Sequence, residues 1–228
     1  MSIQQNLTLG AVDCIHPNLA LKALIKSQDE LLRVAGRGAI QTIPKAKLFT
    51  HANIGVPHGI ELVEIGELKS GEEVSKWMLA EYCKYIDTPF LLNIQADGYI
   101  INGLAWSDDF LGYDYIGAPW GLHPLHEWAP FPNVTEWNRV GNGGFSLRSL
   151  RLMVAVAELF DDPLDPSAYH PEDCWICRTQ GSRLRELGLR FAPHDVAQRF
   201  SVENARIDEH FGFHGKLTMK INPQKTQI

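Results

Sequence analysis

The chain has 228 residues, 45% of them hydrophobic and 21% charged, which is enough apolar material for one full core. Its 27 acidic residues outnumber 21 basic ones for a net charge of −6, and the pI of about 5.8 argues against a broadly basic nucleic-acid surface. No apolar run approaches the roughly 20 residues that span a bilayer, and the opening MSIQQNLTLG has neither the basic nor the apolar region of a secretory signal, so a cytoplasmic protein is expected.

In chain order, NLTLGAVDC is β-prone and HPNLALKALIKSQDELLRV follows with a helical pattern carrying Leu19, Ala23, Leu24, Leu31 and Leu32. KAKLFTHAN and IELVEIGEL read as two short strands, and GEEVSKWMLAEYCKYI as a helix with acids in its first turn. TPFLLNIQADGYI is an apolar run ending in Asp97, as a buried central strand would. This alternation predicts an α/β fold with a mostly parallel central sheet flanked by helices. The ligand crevice then lies beyond the carboxyl ends of the strands, where Asp97 and the segment DCIHPN with Asp13 and His16 fall.

The second half opens on an aromatic, Pro- and Gly-rich stretch from Gly117 to Gly144, too long for a mere connector and expected to form a binding loop or lid. A helix is expected from Leu147 to Phe160, a second one through PEDCWICRTQGSRLRELG with Gly188 just past its end, and a strand at LRFAP. A single domain over residues 1–220 and a frayed tail over 221–228 complete the expectation. Four unevenly spread cysteines, Cys14, Cys83, Cys174 and Cys177, lack the pattern of a disulfide framework or of a second CxxC for zinc.

Three features carry chemistry. Asp97 ends a buried strand, where an unpaired carboxylate is costly, although Asp-Gly is also an ordinary turn pair. Glu172 and Asp173 open a helix, a position that capping alone would explain. His210 and His214 lie four apart in HFGFHG. Their order, together with RVGNGGFSLRS, resembles the GT-A fold glycosyltransferases. The blocks DYIGAPW, VGNGGFSLRS, EDCWICR, FSVE and FGFHG are similar to those of a family of glycosyltransferase-like domains, over Phe90 to Gly215.

The resemblance implies a nucleotide-sugar-dependent, inverting transferase, with a UDP-sugar as the donor. Gly143 and Gly144 would line the donor sugar site, where a sugar pressed on the backbone needs residues without Cβ, and Asn142 would orient a sugar hydroxyl or the loop. Asp173 would be the base, with Glu172 beside it, while Asp13, His16, Trp120, Trp128 and Trp137 would contact donor or acceptor. Such enzymes hold Mn²⁺ or Mg²⁺ through an Asp-x-Asp motif. Here the run is Asp97-Gly98-Tyr99, leaving Asp97 and His214 as the metal ligands. The acceptor is open among glycan, lipid-linked glycan, protein and a modified nucleic-acid base. Two other classes compete: a non-catalytic nucleotide- or sugar-binding module, and a metal-dependent hydrolase using Asp97, Asp173 and His214.

Overall fold

The computed structural model describes residues 6–34, 44–120, 139–161 and 169–228. Strand β1 (Leu7–Val12) is buried along its whole length. Its alternation sends Leu7, Leu9 and Ala11 to the face covered by Ala20, Leu24 and Leu31 of α1 (Pro17–Val34), and Val12 to the opposite face with Phe49, Tyr82 and Leu91. A strand covered on both sides has no polar face to display, hence the apolar LTLGAV. On α1 the buried face runs through Ala20, Leu24, Ser27 and Leu31. Leu19 and Leu32, expected on that stripe, lie off it and are 43% and 47% exposed.

Strand β2 (Lys45–Thr50) pairs parallel with β1, and β3 (Ile60–Glu64) parallel with β2. Helix α2 (Gly71–Ala80) starts on Ser70, whose hydroxyl accepts the Glu73 N–H at 3.1 Å, while the Glu73 carboxylate accepts the Lys69 N–H at 2.7 Å. The helix was expected to reach Ile86. It stops at Ala80, and Tyr82–Tyr85 tighten into a 3₁₀ turn that puts the Tyr82 ring in the core with its hydroxyl on Asn93 Oδ1 at 3.0 Å. Strand β4 (Phe90–Ile94) then pairs parallel on the free side of β1.

Strands β5 (Tyr115–Gly117) and β6 (Phe145–Ser149) complete the sheet, with β6 antiparallel to both β4 and β5. The expected helical start at Leu147 is therefore corrected. FSLRS alternates with period two, Phe145 and Leu147 entering the main core, and helix α3 (Leu150–Phe160) begins only after Ser149 caps the Leu152 N–H at 3.0 Å. Helix α4 (Glu172–Cys174) runs into a π-helical turn, Trp175–Thr179, and then α5 (Gly181–Glu186). Gly188, at φ +81°, closes α5 as expected: its N–H reaches the Arg185 carbonyl and the Leu189 N–H reaches that of Leu184.

The expected strand at LRFAP reduces to one bridge between Phe191 and Tyr115. Helix α6 (His194–Phe200), the parallel pair β7 (Ser201–Glu203) and β8 (Gly212–His214), and α7 (Lys216–Ile221) end the fold. The last residues, expected as a tail, touch the body of the fold at two points. Thr226 is 3% exposed, its carbonyl accepts the Tyr99 hydroxyl at 2.7 Å, and Lys26 bonds the Gln227 carbonyl.

The strand order β3-β2-β1-β4-β6-β5 makes a sheet in which only β6 runs against the rest. The chain lays strands outward from β1 through β2 to β3, then returns to place β4 on the other side. The carboxyl ends of β1 and β4 therefore flank the point where winding reverses, the place where ligands bind in open α/β sheets. No described helix is long and apolar enough to cross a membrane.

Candidate functional site

Asp13 follows β1 at this edge. Its Oδ1 accepts the N–H groups of Ile15 and His16 at 2.8 and 2.6 Å, so one carboxylate oxygen builds the turn into α1, and His16 is exposed on that turn. Beyond β4, Gln95 and Gly98 exchange backbone hydrogen bonds at 3.0 Å, and Asp97 sits in the two-residue turn between them. The Asp97 carbonyl accepts the Gly215 N–H at 2.8 Å, which joins this turn to the end of β8. Tyr99 has its ring in the core, so position 99 offers nothing to a ligand.

The segment before β6 lies at the same edge, because Ile94 pairs with Phe145. Asn142 is left-handed at φ +56° and 3% exposed. Its carbonyl accepts the Tyr115 hydroxyl at 3.2 Å, and the next N–H, that of Gly143, donates to Asp173 Oδ2 at 2.7 Å. The Gly143 carbonyl receives Asn93 Nδ2 at 2.7 Å, the Ser146 hydroxyl at 2.9 Å and Arg148 Nη2 at 3.3 Å. Both peptide planes are thus fixed.

The fold itself requires both glycines: a Cβ on Gly143 would overlap the Glu172 carboxylate, and one on Gly144 would overlap the His214 ring. Trp120 is likewise committed to packing: it fills the space against Gly141, with the Arg178 guanidinium 4.1 Å from its ring centre. Trp128 and Trp137 lie outside the described residues.

His214, on β8, faces this loop. Its Nδ1 lies 3.1 Å from Glu203 Oε1 and 2.8 Å from the Asn142 side-chain amide, while Nε2 lies 3.6 Å from Asp97 Oδ1. A proton on Nδ1 satisfies Glu203. Burial opposes the imidazolium, but the Glu203 hydrogen bond and the Asp97, Glu203 and Asp173 charges outweigh it and hold the His214 pKa above its ordinary value. His210, by contrast, accepts the Asp208 N–H through Nδ1 and serves its own loop.

Asp173 and Glu172 open α4 side by side and point into different surroundings. Glu172 is 8% exposed, pairs with Arg148 Nη2 at 2.8 Å and is approached by the Ser75 hydroxyl at 3.5 Å. Asp173 is only partly buried, and each of its oxygens takes one backbone N–H, from Gly143 and Cys174, both at 2.7 Å. Burial, then the charge of Glu172, raise its pKa to about 6 against the pull of those two N–H groups and Arg148. The CxxC pair is inert by comparison: burial pushes the Cys174 thiol up to about 12 and Cys177 well above the ordinary thiol range.

The structure brings together Asp97, Asn142, Gly143, Gly144, Asp173 and His214, with Glu172 behind them, and leaves Asp13 and His16 on the neighbouring turn of the same edge. Sequence reasoning missed Arg148, Asn93 and Glu203. Arg148 alone carried a signal, a charge inside an apolar strand. Among the described residues no group of three or more His, Cys, Asp or Glu side chains converges as a metal cage.

This architecture is that of the GT-A glycosyltransferases, an α/β fold with a mostly parallel central sheet flanked by helices. A glycosyltransferase involved in the glycosylation of the major capsid of PBCV-1 superposes with a TM-score of 0.52 at 12% identity, covering 98% of this chain and 100% of its own. The galactosyltransferase LgtC, in complex with donor and acceptor sugar analogues, gives 0.53 at 13% identity over 92% of this chain and 87% of its own. An active-site mutant of LgtC gives 0.51 at 15% identity over the same shares. No curated protein matches the chain. The chain belongs to the family described as proteins of unknown function, DUF5672, whose model matches residues 59–214.

Proposed function

We propose that the protein is a nucleotide-sugar-dependent glycosyltransferase that moves a sugar from a UDP-sugar to an acceptor hydroxyl with inversion. The observation that carries this reading is the geometry of Asp173: a partly exposed carboxylate whose two oxygens are held by the Gly143 and Cys174 N–H groups, on the sheet edge that also carries Asp97 and His214. A base with a pKa just below neutrality is ionised at pH 7 yet basic enough to take the proton of an attacking hydroxyl. Each Asp173 oxygen spends one lone pair on a backbone N–H, so a second remains for the acceptor.

Asp97 and His214 fit a divalent cation in their donor chemistry. They present a carboxylate oxygen beside an imidazole Nε2 whose other nitrogen is anchored on Glu203, the arrangement that orients metal-bound histidines. These two residues would hold Mn²⁺ or Mg²⁺, which supplies charge neutralisation to a departing diphosphate. Asp13 and His16, on the turn after β1, would contact the nucleotide.

A non-catalytic nucleotide-binding module is the second reading, favoured by the absence of a second Asp beside Asp97. The hydrolase reading needs Asp97, Asp173 and His214 on one metal, a convergence the described residues lack. Calorimetric titration with a panel of nucleotide sugars, with and without Mn²⁺, tests the first. Metal-dependent donor binding that weakens in Asp97→Ala is expected, and a protein indifferent to every nucleotide sugar removes the proposal.

A further inference from the structure

Arg148 and Glu172 form a buried charge pair that the proposed chemistry does not use. Arg148 is 2% exposed and sits on β6, beneath the glycine loop. A buried pair of this kind is a poor source of stability, since apolar residues of similar volume serve the fold as well. Its contacts suggest another purpose. Arg148 Nε donates to the Ser146 hydroxyl at 2.9 Å, and Nη2 is shared between Glu172 Oε1 at 2.8 Å and the Gly143 carbonyl at 3.3 Å. That carbonyl already receives Asn93 and Ser146, and its two lone pairs would be satisfied without the guanidinium. Glu172 in turn is bonded in sequence to Asp173, which holds the Gly143 N–H.

We infer that Arg148 is a positioning residue: bridging the Gly143 carbonyl and Glu172, it fixes the distance and angle between the glycine loop and Asp173. Glu172 acts with it and does not touch substrate. The inference rests on the reading of Asp173 as the base. A lysine at position 148 keeps the charge but lacks the planar fork that serves Ser146, Gly143 and Glu172 together.

The test is Arg148→Lys, observed by the amide resonance of Gly143 in ¹H–¹⁵N spectra and, with donor, by kcat against KM. The Gly143 amide resonance is expected to move and its hydrogen exchange to accelerate. kcat should fall by about 10²-fold, the cost of a misplaced catalytic group, with the donor KM changed by no more than about twofold. Arg151→Lys, which alters the separate Arg151–Asp114 pair, should leave the Gly143 resonance in place. Where Arg148→Lys does not fold, Glu172→Gln takes its place, with the same displacement expected.

A folded variant of either kind with a native Gly143 resonance, or a fall in kcat that only tracks the loss of folded protein, overturns the inference. The resonance needs no reaction. A parent protein that turns over no nucleotide sugar defeats the transferase reading, while the displacement of Gly143 still decides the part played by Arg148.

Discussion

Asp173 and Glu172 show how two adjacent carboxylates are given different work by their surroundings. Glu172 is paired directly with a guanidinium and withdrawn from solvent, whereas the Asp173 oxygens are held by backbone N–H groups beside a neighbouring negative charge. If Asp173 is the base proposed, it must be ionised to accept a proton, so kcat should rise with pH through about 6 and Asp173→Asn should lose that limb; a pH–rate profile of both proteins checks it. The same shift has a consequence for stability. A carboxyl whose folded pKa lies above its unfolded value stabilises the fold fully below the unfolded pKa, near 3.8, and loses that contribution as pH rises through about 6. His214, also raised, acts in the same direction at higher pH. Urea midpoints between pH 4 and 7 should therefore show a flatter dependence in Asp173→Asn than in the parent.

The glycines also belong at this scale. Gly143→Ala should destabilise the fold by about 1–3 kcal/mol, because its Cβ meets the Glu172 carboxylate that Arg148 holds in place. A denaturation curve unchanged from the parent would contradict that. The sequence made these glycines conspicuous but not their cause, since Glu172 and His214 approach them from far along the chain.

Among the elements, β6 is the instructive case. Phe145 to Arg148 alternates apolar and polar residues, yet its continuation into LRLMVAVAELF favours a reading by helical period from Leu147. What decides the matter is tertiary: Leu147 pairs across from Leu92 and Ile116, and Arg148 finds Glu172 24 residues on. Leu147→Ala should accordingly cost about 2–5 kcal/mol, as expected for a fully buried leucine, whereas a helical surface position would barely respond. Thermal or urea unfolding distinguishes the two. β1 and β4 are legible because their apolar runs match their burial, and α1 in its extent although Leu19 and Leu32 fall off its buried face. The 3₁₀ turn at Tyr82–Tyr85 is not, because the bond of Tyr82 to Asn93 that accompanies it joins residues on different elements.

At the scale of the molecule, the order β3-β2-β1-β4-β6-β5 sets the edge at which the site forms. The first half of the sequence places Asp13 and Asp97 at that edge, and the second half supplies the loop, Asp173 and His214 that gather on it. The convergence itself was not legible, since it depends on β6 running against its neighbours and on β8 returning His214 to the Asp97 turn. The central claim is that this edge transfers a sugar with Asp173 as the base. It is tested most directly by the rate of nucleoside diphosphate release from nucleotide sugars in the presence of mixed glycan acceptors and Mn²⁺, measured for the parent and for Asp173→Asn alongside their donor affinities. The account predicts release by the parent and a fall of about 10²- to 10⁴-fold in Asp173→Asn at unchanged donor affinity. Equal rates in the two proteins, or a parent that binds no donor, would contradict it.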